Sequence, residues 1–202
     1  AIDLSILFVP DHSPRAVADL RRQIAAEGMR VAMVTTYPDL THPDPRRRAE
    51  EVRLETEAIA AAAALGAQMV RVTAGQAHPE TPGEAGLDWA AGGLRALVAA
   101  AAGSGVTLVY ENHSKPGVWA YTDFSEPPEV FLEIAARTAG CGLKINFDVG
   151  NAAAFSADPL ALLEAVLERV HSIHASDTAA RGRLEHVLLG TGVTPYPALF
   201  AR

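Results

Sequence analysis

The sequence predicts an α/β fold in which parallel strands are joined by crossover helices. Short apolar runs alternate with longer segments rich in Ala and Leu along most of the 202 residues, a pattern typical of parallel sheets. Six such units follow one another with no change in composition that would mark a domain boundary. Because 49% of the residues are hydrophobic, a core of ordinary size can be buried. We therefore expect residues 1–202 to form a single domain.

The apolar runs and the segments between them define the predicted elements. Six runs are predicted as strands, the fifth together with the loop that follows it: 2–9, 30–36, 68–75, 106–113, 143–152 and 170–178. The predicted helices cover 14–27, 45–65, 88–102, 128–139 and 158–168, and another begins near 195. Ser13 is the expected N-cap of the first helix, with Pro14 as its first residue.

Two arrangements of parallel strands fit this alternation, an open doubly wound sheet and a closed barrel. A dinucleotide-binding open sheet carries a Gly-rich turn after its first strand, but the turn here is "VPDHSP" and contains no glycine. Polar residues follow three successive strands, as in a barrel whose active site lies at the carboxyl ends of its strands. We therefore favour a (β/α)8 TIM-type barrel. Since such a barrel needs about 250 residues, the chain is expected to lack the first and last strand units.

Composition excludes several functional classes. The net charge of −7 argues against a nucleic-acid partner, which would require clustered Lys and Arg. No apolar run is long enough to span a bilayer, and the N-terminus shows no signal-peptide pattern. Cys141 is the only cysteine, so an internal disulfide is impossible and a reducing compartment is favoured. The sequence thus predicts a soluble, cytoplasmic protein without membrane contact.

Three side chains of metal-binding type end successive predicted strands. Glu111, Asp148 and His174 are all ligands that Mn²⁺, Mg²⁺, Co²⁺ or Zn²⁺ accept. Each one alone is compatible with an exposed loop acid or a hydrogen-bonded histidine. Charged groups are rarely buried unless paired, so three of them at the end of an apolar barrel need a common partner. Two carboxylates and an imidazole carry a charge of −2, which neutralises a divalent ion.

Four motifs, in this order, resemble those of a known family. "LVYENH" (108–113), "INFDVGNA" (145–152), "VHSIHASD" (170–177) and "HVLLGTG" (186–192) are similar to the sugar phosphate isomerase/epimerase family of xylose isomerase-like barrels. The resemblance covers nearly the whole chain. It implies a divalent metal ion held by Glu, Asp, His and a last Glu. The first three map onto Glu111, Asp148 and His174, and the fourth would end an eighth strand that the sequence does not reach.

The resemblance also implies an activity. The family catalyses proton transfer at the carbon next to a carbonyl, so we expect an isomerase or epimerase acting on a sugar or related hydroxy-carbonyl compound through an enediolate. Glu111 is the candidate base. Asn151 takes the place of a histidine that many relatives have three residues after the metal-binding Asp, and is expected to face substrate or a bound water. His186 stands where relatives have a substrate-contacting Arg or a metal-binding His. A turn cap and a surface histidine are the simpler alternatives. His113 is expected to orient Glu111 or to contact a substrate hydroxyl, and Trp119 to wall the pocket or to pack within its loop.

Three other functions remain open. A dehydratase would use the same enediolate, and a barrel that has lost its chemistry would still bind a sugar. A phosphodiesterase of the AP-endonuclease type shares the barrel, but the Asp–x–His pair of that branch is replaced by Leu184 and His186. The sequence leaves the oligomeric state open, with a homodimer as one option.

Overall fold

The computed structural model describes all residues from 1 to 202 and shows a single parallel sheet. Six strands pair in chain order, each with the next, and the sheet curls into a half-barrel with helices on its outer side. The strands are β1 (Ile2–Ser5), β2 (Val31–Thr35), β3 (Met69–Val72), β4 (Thr107–Glu111), β5 (Lys144–Asp148) and β6 (Val170–His174). The predicted α/β barrel class is confirmed for these six units.

Seven helices connect and cover the strands. They are α1 (Pro14–Ala26), α2 (Pro45–Leu65), α3 (Gly83–Ala101), α4 (Pro128–Arg137), α5 (Val149–Phe155), α6 (Pro159–Val166) and α7 (Tyr196–Leu199). The capping of α1 is as predicted, because the Ser13 hydroxyl accepts a hydrogen bond from Ala16 N and Pro14 opens the helix. Gly66 ends α2 with a φ of 84°, a left-handed conformation that glycine adopts without strain. No helix combines the length and apolar character required to cross a membrane.

Several predicted boundaries were wrong. The first strand ends at Ser5 rather than at residue 9, and a 3₁₀ turn covers Ile6–Phe8. The third helix begins at Gly83 rather than at residue 88. The segment predicted as the loop after the fifth strand is helix α5. It forms because the Asp148 side chain caps it by accepting a hydrogen bond from Asn151 N, a contact made by the strand's own last residue.

The two faces of the sheet differ in chemistry. Alternate side chains point outward to the helices, and there Tyr110 packs against Phe131 of α4 with ring centroids 5.2 Å apart. The residue that follows, Glu111, points to the inner face, where Arg71 of β3 and Asn146 of β5 also lie. Polar contacts therefore run across the inner face, while the apolar core lies between the sheet and its helices.

Candidate metal centre

Glu111, Asp148 and His174 lie at one place in the fold, because they are the last residues of three neighbouring strands. Register pairs Asp148 directly with His174. One ligand atom from each residue lies within 4.8 Å of those of the other two. Glu111 is 1% exposed and Asp148 8% exposed, so neither carboxylate is a surface acid. Two carboxylate oxygens and an imidazole nitrogen form a donor set that suits a divalent ion, and the residues present therefore fit the predicted metal.

Glu111 is held through both of its carboxylate oxygens. Oε1 accepts a hydrogen bond from Asn146 Nδ2 and lies 2.5 Å from His174 Nδ1. Oε2 lies 3.2 Å from Nε of the buried Arg71. Burial raises the pKa of Glu111, but the guanidinium of Arg71 and the hydrogen bond from His174 outweigh it and bring the pKa down to about 2. Arg71 also changes the charge of the cluster from the −2 counted in the sequence to −1.

Asp148 has the opposite environment. Burial and then the negative charge of Glu111 raise its pKa to about 6. Its Oδ1 accepts hydrogen bonds from Asn151 N and from the Ser176 hydroxyl, at 2.8 and 2.7 Å. Both bonds use the same oxygen. Oδ2 is therefore the atom that remains for a metal ion.

His174 lies between two carboxylates. Its Nδ1 faces Glu111, and its Nε2 is 3.3 Å from Oδ2 of Asp3, on the strand at the other edge of the sheet. Burial favours the neutral imidazole, but the hydrogen bond to Glu111 and the nearby carboxylates raise the pKa of His174 above its usual value. A carboxylate on the second nitrogen is the arrangement that orients metal-binding histidines. Asp3 therefore has the position of a residue that orients His174.

Comparison with known proteins identifies the fold family of the chain. The family model described as the xylose isomerase-like TIM barrel matches residues 1–202. The chain belongs to this family. Among solved structures, a D-tagatose 3-epimerase-like protein superposes with a TM-score of 0.80 at 20% identity, covering 98% of this chain and 74% of the other.

Two further solved structures have the same fold. A xylose isomerase domain protein from Planctomyces limnophilus gives a TM-score of 0.73 at 19% identity and covers 94% of this chain and 70% of the other. D-Allulose 3-epimerase from Methylomonas sp. gives a TM-score of 0.73 at 18% identity and covers 99% of this chain and 67% of the other. A comparison with curated proteins found no match. At these identities the structures establish the fold of this family member.

The other predicted site residues are placed at different distances from the cluster. His113 lies with Nε2 3.9 Å from Glu111 Oε2, and mainly burial lowers its pKa to about 4, so the ring is neutral at pH 7. Trp119 is buried, with its ring centroid 6.4 Å from that of His113. His113 therefore borders Glu111, and Trp119 packs beside His113. Their contact with substrate stays a prediction.

Asn151 and His186 are less directly connected to the cluster. Asn151 is buried in the first turn of α5, where its side-chain Nδ2 donates to the carbonyl of Asn112. It therefore acts as a cap partner and braces the loop after β4. His186 is exposed, and its backbone forms an isolated antiparallel bridge with Thr178. Their contact with substrate stays a prediction.

Four residues around the cluster were not identified from the sequence: Asp3, Arg71, Asn112 and Asn146. Asn112 joins two strand ends, since its Nδ2 donates to the carbonyl of Asp148 and its Oδ1 accepts from Asp148 N. Arg71 and Asn146 are polar residues within the strands "MVRV" and "KINFD", each between two apolar residues and at an inward-facing position. A polar residue in the middle of a buried strand was the available signal, because it needs a partner on the same face. Asp3 offered no comparable signal.

Proposed function

We propose that this protein is a divalent-metal-dependent isomerase or epimerase acting on a sugar or related hydroxy-carbonyl compound through an enediolate. The buried cluster of Glu111, Asp148 and His174 at the carboxyl end of the half-barrel carries the proposal. Solved structures with this fold include a D-tagatose 3-epimerase-like protein and D-allulose 3-epimerase. Their names support sugar epimerisation as the first activity to test.

The three residues would hold Mn²⁺, Mg²⁺, Co²⁺ or Zn²⁺, which supplies positive charge that stabilises the oxyanion of an enediolate. His174 would be oriented by Asp3, and Asp148 by Ser176 and the first turn of α5. The chain thus builds the site on strand ends, which hold ligands more rigidly than loops do.

Glu111 is proposed both as a ligand and as the base that takes a proton from carbon. Its pKa of about 2 favours the first role, because a general base works best with a pKa near the working pH. The neutral His113 would hydrogen-bond a substrate hydroxyl, and Trp119, which packs beside it, would exclude water from one side of the pocket. Asn151 and His186 are proposed as further substrate contacts. We place the activity in the cytoplasm, as the single cysteine suggests.

Metal analysis tests the proposal directly. The purified protein should contain close to one divalent ion per chain and lose it on chelation, and His174→Ala should not retain it. His171→Ala is the matched control, because His171 lies on the same strand but is exposed. Asp148→Ala should also lose the ion. Absence of a bound ion in the unmodified protein, or its retention by His174→Ala, would overturn the metal assignment.

A second measurement separates the candidate reactions. Incubation of the metal-loaded protein with D-tagatose or D-allulose in D₂O should place deuterium on the carbon next to the carbonyl, the mark of an enediolate. Loss of water from the substrate would instead indicate a dehydratase, an activity suggested by the fold of a probable 3-DHS dehydratase at a TM-score of 0.67. Metal-dependent sugar binding with neither exchange nor dehydration would show a binding protein without catalysis.

A further inference from the structure

Arg71 is the arginine buried against the three candidate metal ligands. Its side chain is 4% exposed, and it projects from β3 to the inner face, where Nε lies 3.2 Å from Glu111 Oε2. We propose that Arg71 is a positioning residue which fixes the Glu111 carboxylate so that only Oε1 is presented to a metal ion. The inference rests on the proposed metal site and explains why Glu111 would bind the ion through one oxygen.

The two oxygens of Glu111 have different neighbours. Oε1 faces the interior of the cluster, with His174 Nδ1 and Asn146 Nδ2 both at 2.5 Å. Oε2 faces away from it, toward Arg71 and, at 3.9 Å, His113. A carboxylate with one oxygen opposite a buried guanidinium cannot turn both oxygens to an ion without leaving that guanidinium unpaired, which is costly in an apolar interior.

Arg71 is itself fixed by two contacts beyond Glu111. Its Nη1 donates a 2.7 Å hydrogen bond to the carbonyl of Thr36, at the end of the neighbouring strand. The guanidinium carbon also lies 4.5 Å from the centroid of the Tyr37 ring. A planar guanidinium can hold these three partners together, whereas a lysine ammonium at the same position would keep the charge without the fixed orientation. Position 71 thus requires the shape of arginine as well as its charge.

Removing the guanidinium has three expected effects. In Arg71→Met the metal-free protein should be less stable, because the buried Glu111 loses its counter-charge. Added Co²⁺ should then restore more stability than in the unmodified protein, since the ion replaces the lost cation. The freed Oε2 should join Oε1 at the ion, which raises the coordination number of Co²⁺ and lowers the intensity of its visible absorption bands.

The experiment compares four proteins, each with and without Co²⁺: the unmodified chain, Arg71→Met, Arg71→Lys and Arg169→Met. Arg169 is the matched control, a part-buried arginine that donates to the carbonyls of Ala135 and Leu143 rather than to a carboxylate. The measurements are the melting temperature and the Co²⁺ absorption spectrum. We expect Arg71→Met to show a metal-induced rise at least twice that of the unmodified chain and band intensities reduced at least twofold. Arg169→Met should melt lower than the unmodified chain by the same amount with and without Co²⁺.

Arg71→Lys keeps the positive charge at this position but removes the planar guanidinium that orients Glu111. We expect lysine to restore part of the metal-free stability while the spectrum stays like that of Arg71→Met. The positioning role would be overturned if the Co²⁺ spectrum of Arg71→Lys or Arg71→Met were the same as that of the unmodified protein. It would also be overturned if Co²⁺ raised the melting temperature of Arg71→Met no more than that of Arg169→Met. If the unmodified protein itself shows no rise with Co²⁺, the metal site fails first, and the inference with it.

Discussion

Replacing Gly150 with alanine should destabilise the protein by acting on the support of Asp148. Gly150 lies in the first turn of α5, close under the loop that follows β6. A Cβ at this position would overlap the Ser176 hydroxyl and lie 2.7 Å from the Ser176 carbonyl oxygen. Ser176 would have to move, and its hydroxyl would lose the hydrogen bond that it donates to Asp148 Oδ1.

The size of the effect follows from three contributions. Overpacking in a well-filled site costs about 1–3 kcal/mol, and loss of a hydrogen bond to a charged group about 1.5 kcal/mol. Exchange of glycine for alanine within a helix returns about 0.5–1 kcal/mol. The net destabilisation is about 1.5–4 kcal/mol. In a domain of this size each kcal/mol lowers the melting temperature by about 2–4 °C, so Gly150→Ala should melt about 3–16 °C below the unmodified protein.

Thermal unfolding followed by circular dichroism measures this difference. Gly92→Ala is the control, because Gly92 is an exposed residue of α3 where an added Cβ would meet no atom within 4 Å. That variant should gain about 0.5–1 kcal/mol from helix propensity alone. Equal melting temperatures for Gly150→Ala and the unmodified protein would show that the loop after β6 yields freely. Close packing around Gly150 would then not limit the size of its side chain.

Two further predictions concern the loop between β4 and α4. Burial raises the pKa of Asp123 to about 8, far above its unfolded value of about 4, so its contribution to stability is full below about pH 4 and is lost as pH rises through about 8. Asp123→Asn keeps the oxygen that accepts the Ser125 hydrogen bond. In thermal melts this variant should therefore be more stable than the unmodified protein at pH 8, by about 1–3 kcal/mol, and equally stable at pH 4. A stability advantage that does not change with pH would contradict the raised pKa of Asp123. The backbone amides of Ala120 and Tyr121 donate to Gln76 Oε1, so Gln76→Ala should leave them without this acceptor and lower the free energy of unfolding by about 2 kcal/mol. Hydrogen exchange at these two amides should accelerate. Unchanged exchange rates would show that Gln76 does not hold this loop in place.

The order of elements was largely predictable because it depends on local chemistry. The alternation of apolar runs with helical segments predicted all six strands, and Ser13 with Pro14 correctly placed the start of α1. The three candidate ligands could be chosen because each ends an apolar run, and the carboxyl ends of parallel strands share one edge. Glu111, Asp148 and His174 are accordingly the last residues of β4, β5 and β6.

The contacts around those ligands were not predictable in the same way. Arg71 stands 40 positions before Glu111 in the sequence and meets it only because β3 and β4 are neighbours in the sheet. Helix α5 was missed because its cap is the side chain of Asp148, which the strand pattern had already assigned to β5. In both cases the deciding interaction is between elements.

Sequence patterns were enough to give the parallel α/β class, the order of the six strands and three candidate metal ligands near the ends of successive strands, because periodicity and residue chemistry act over a few neighbouring positions. Only the tertiary structure decided that Arg71 takes one oxygen of Glu111 and that Asp3, from the far edge of the sheet, reaches His174. The register of neighbouring strands and the curl of the whole sheet set these distances. Both are properties of the assembled fold, so the charge of the site and the orientation of its ligands appear only there.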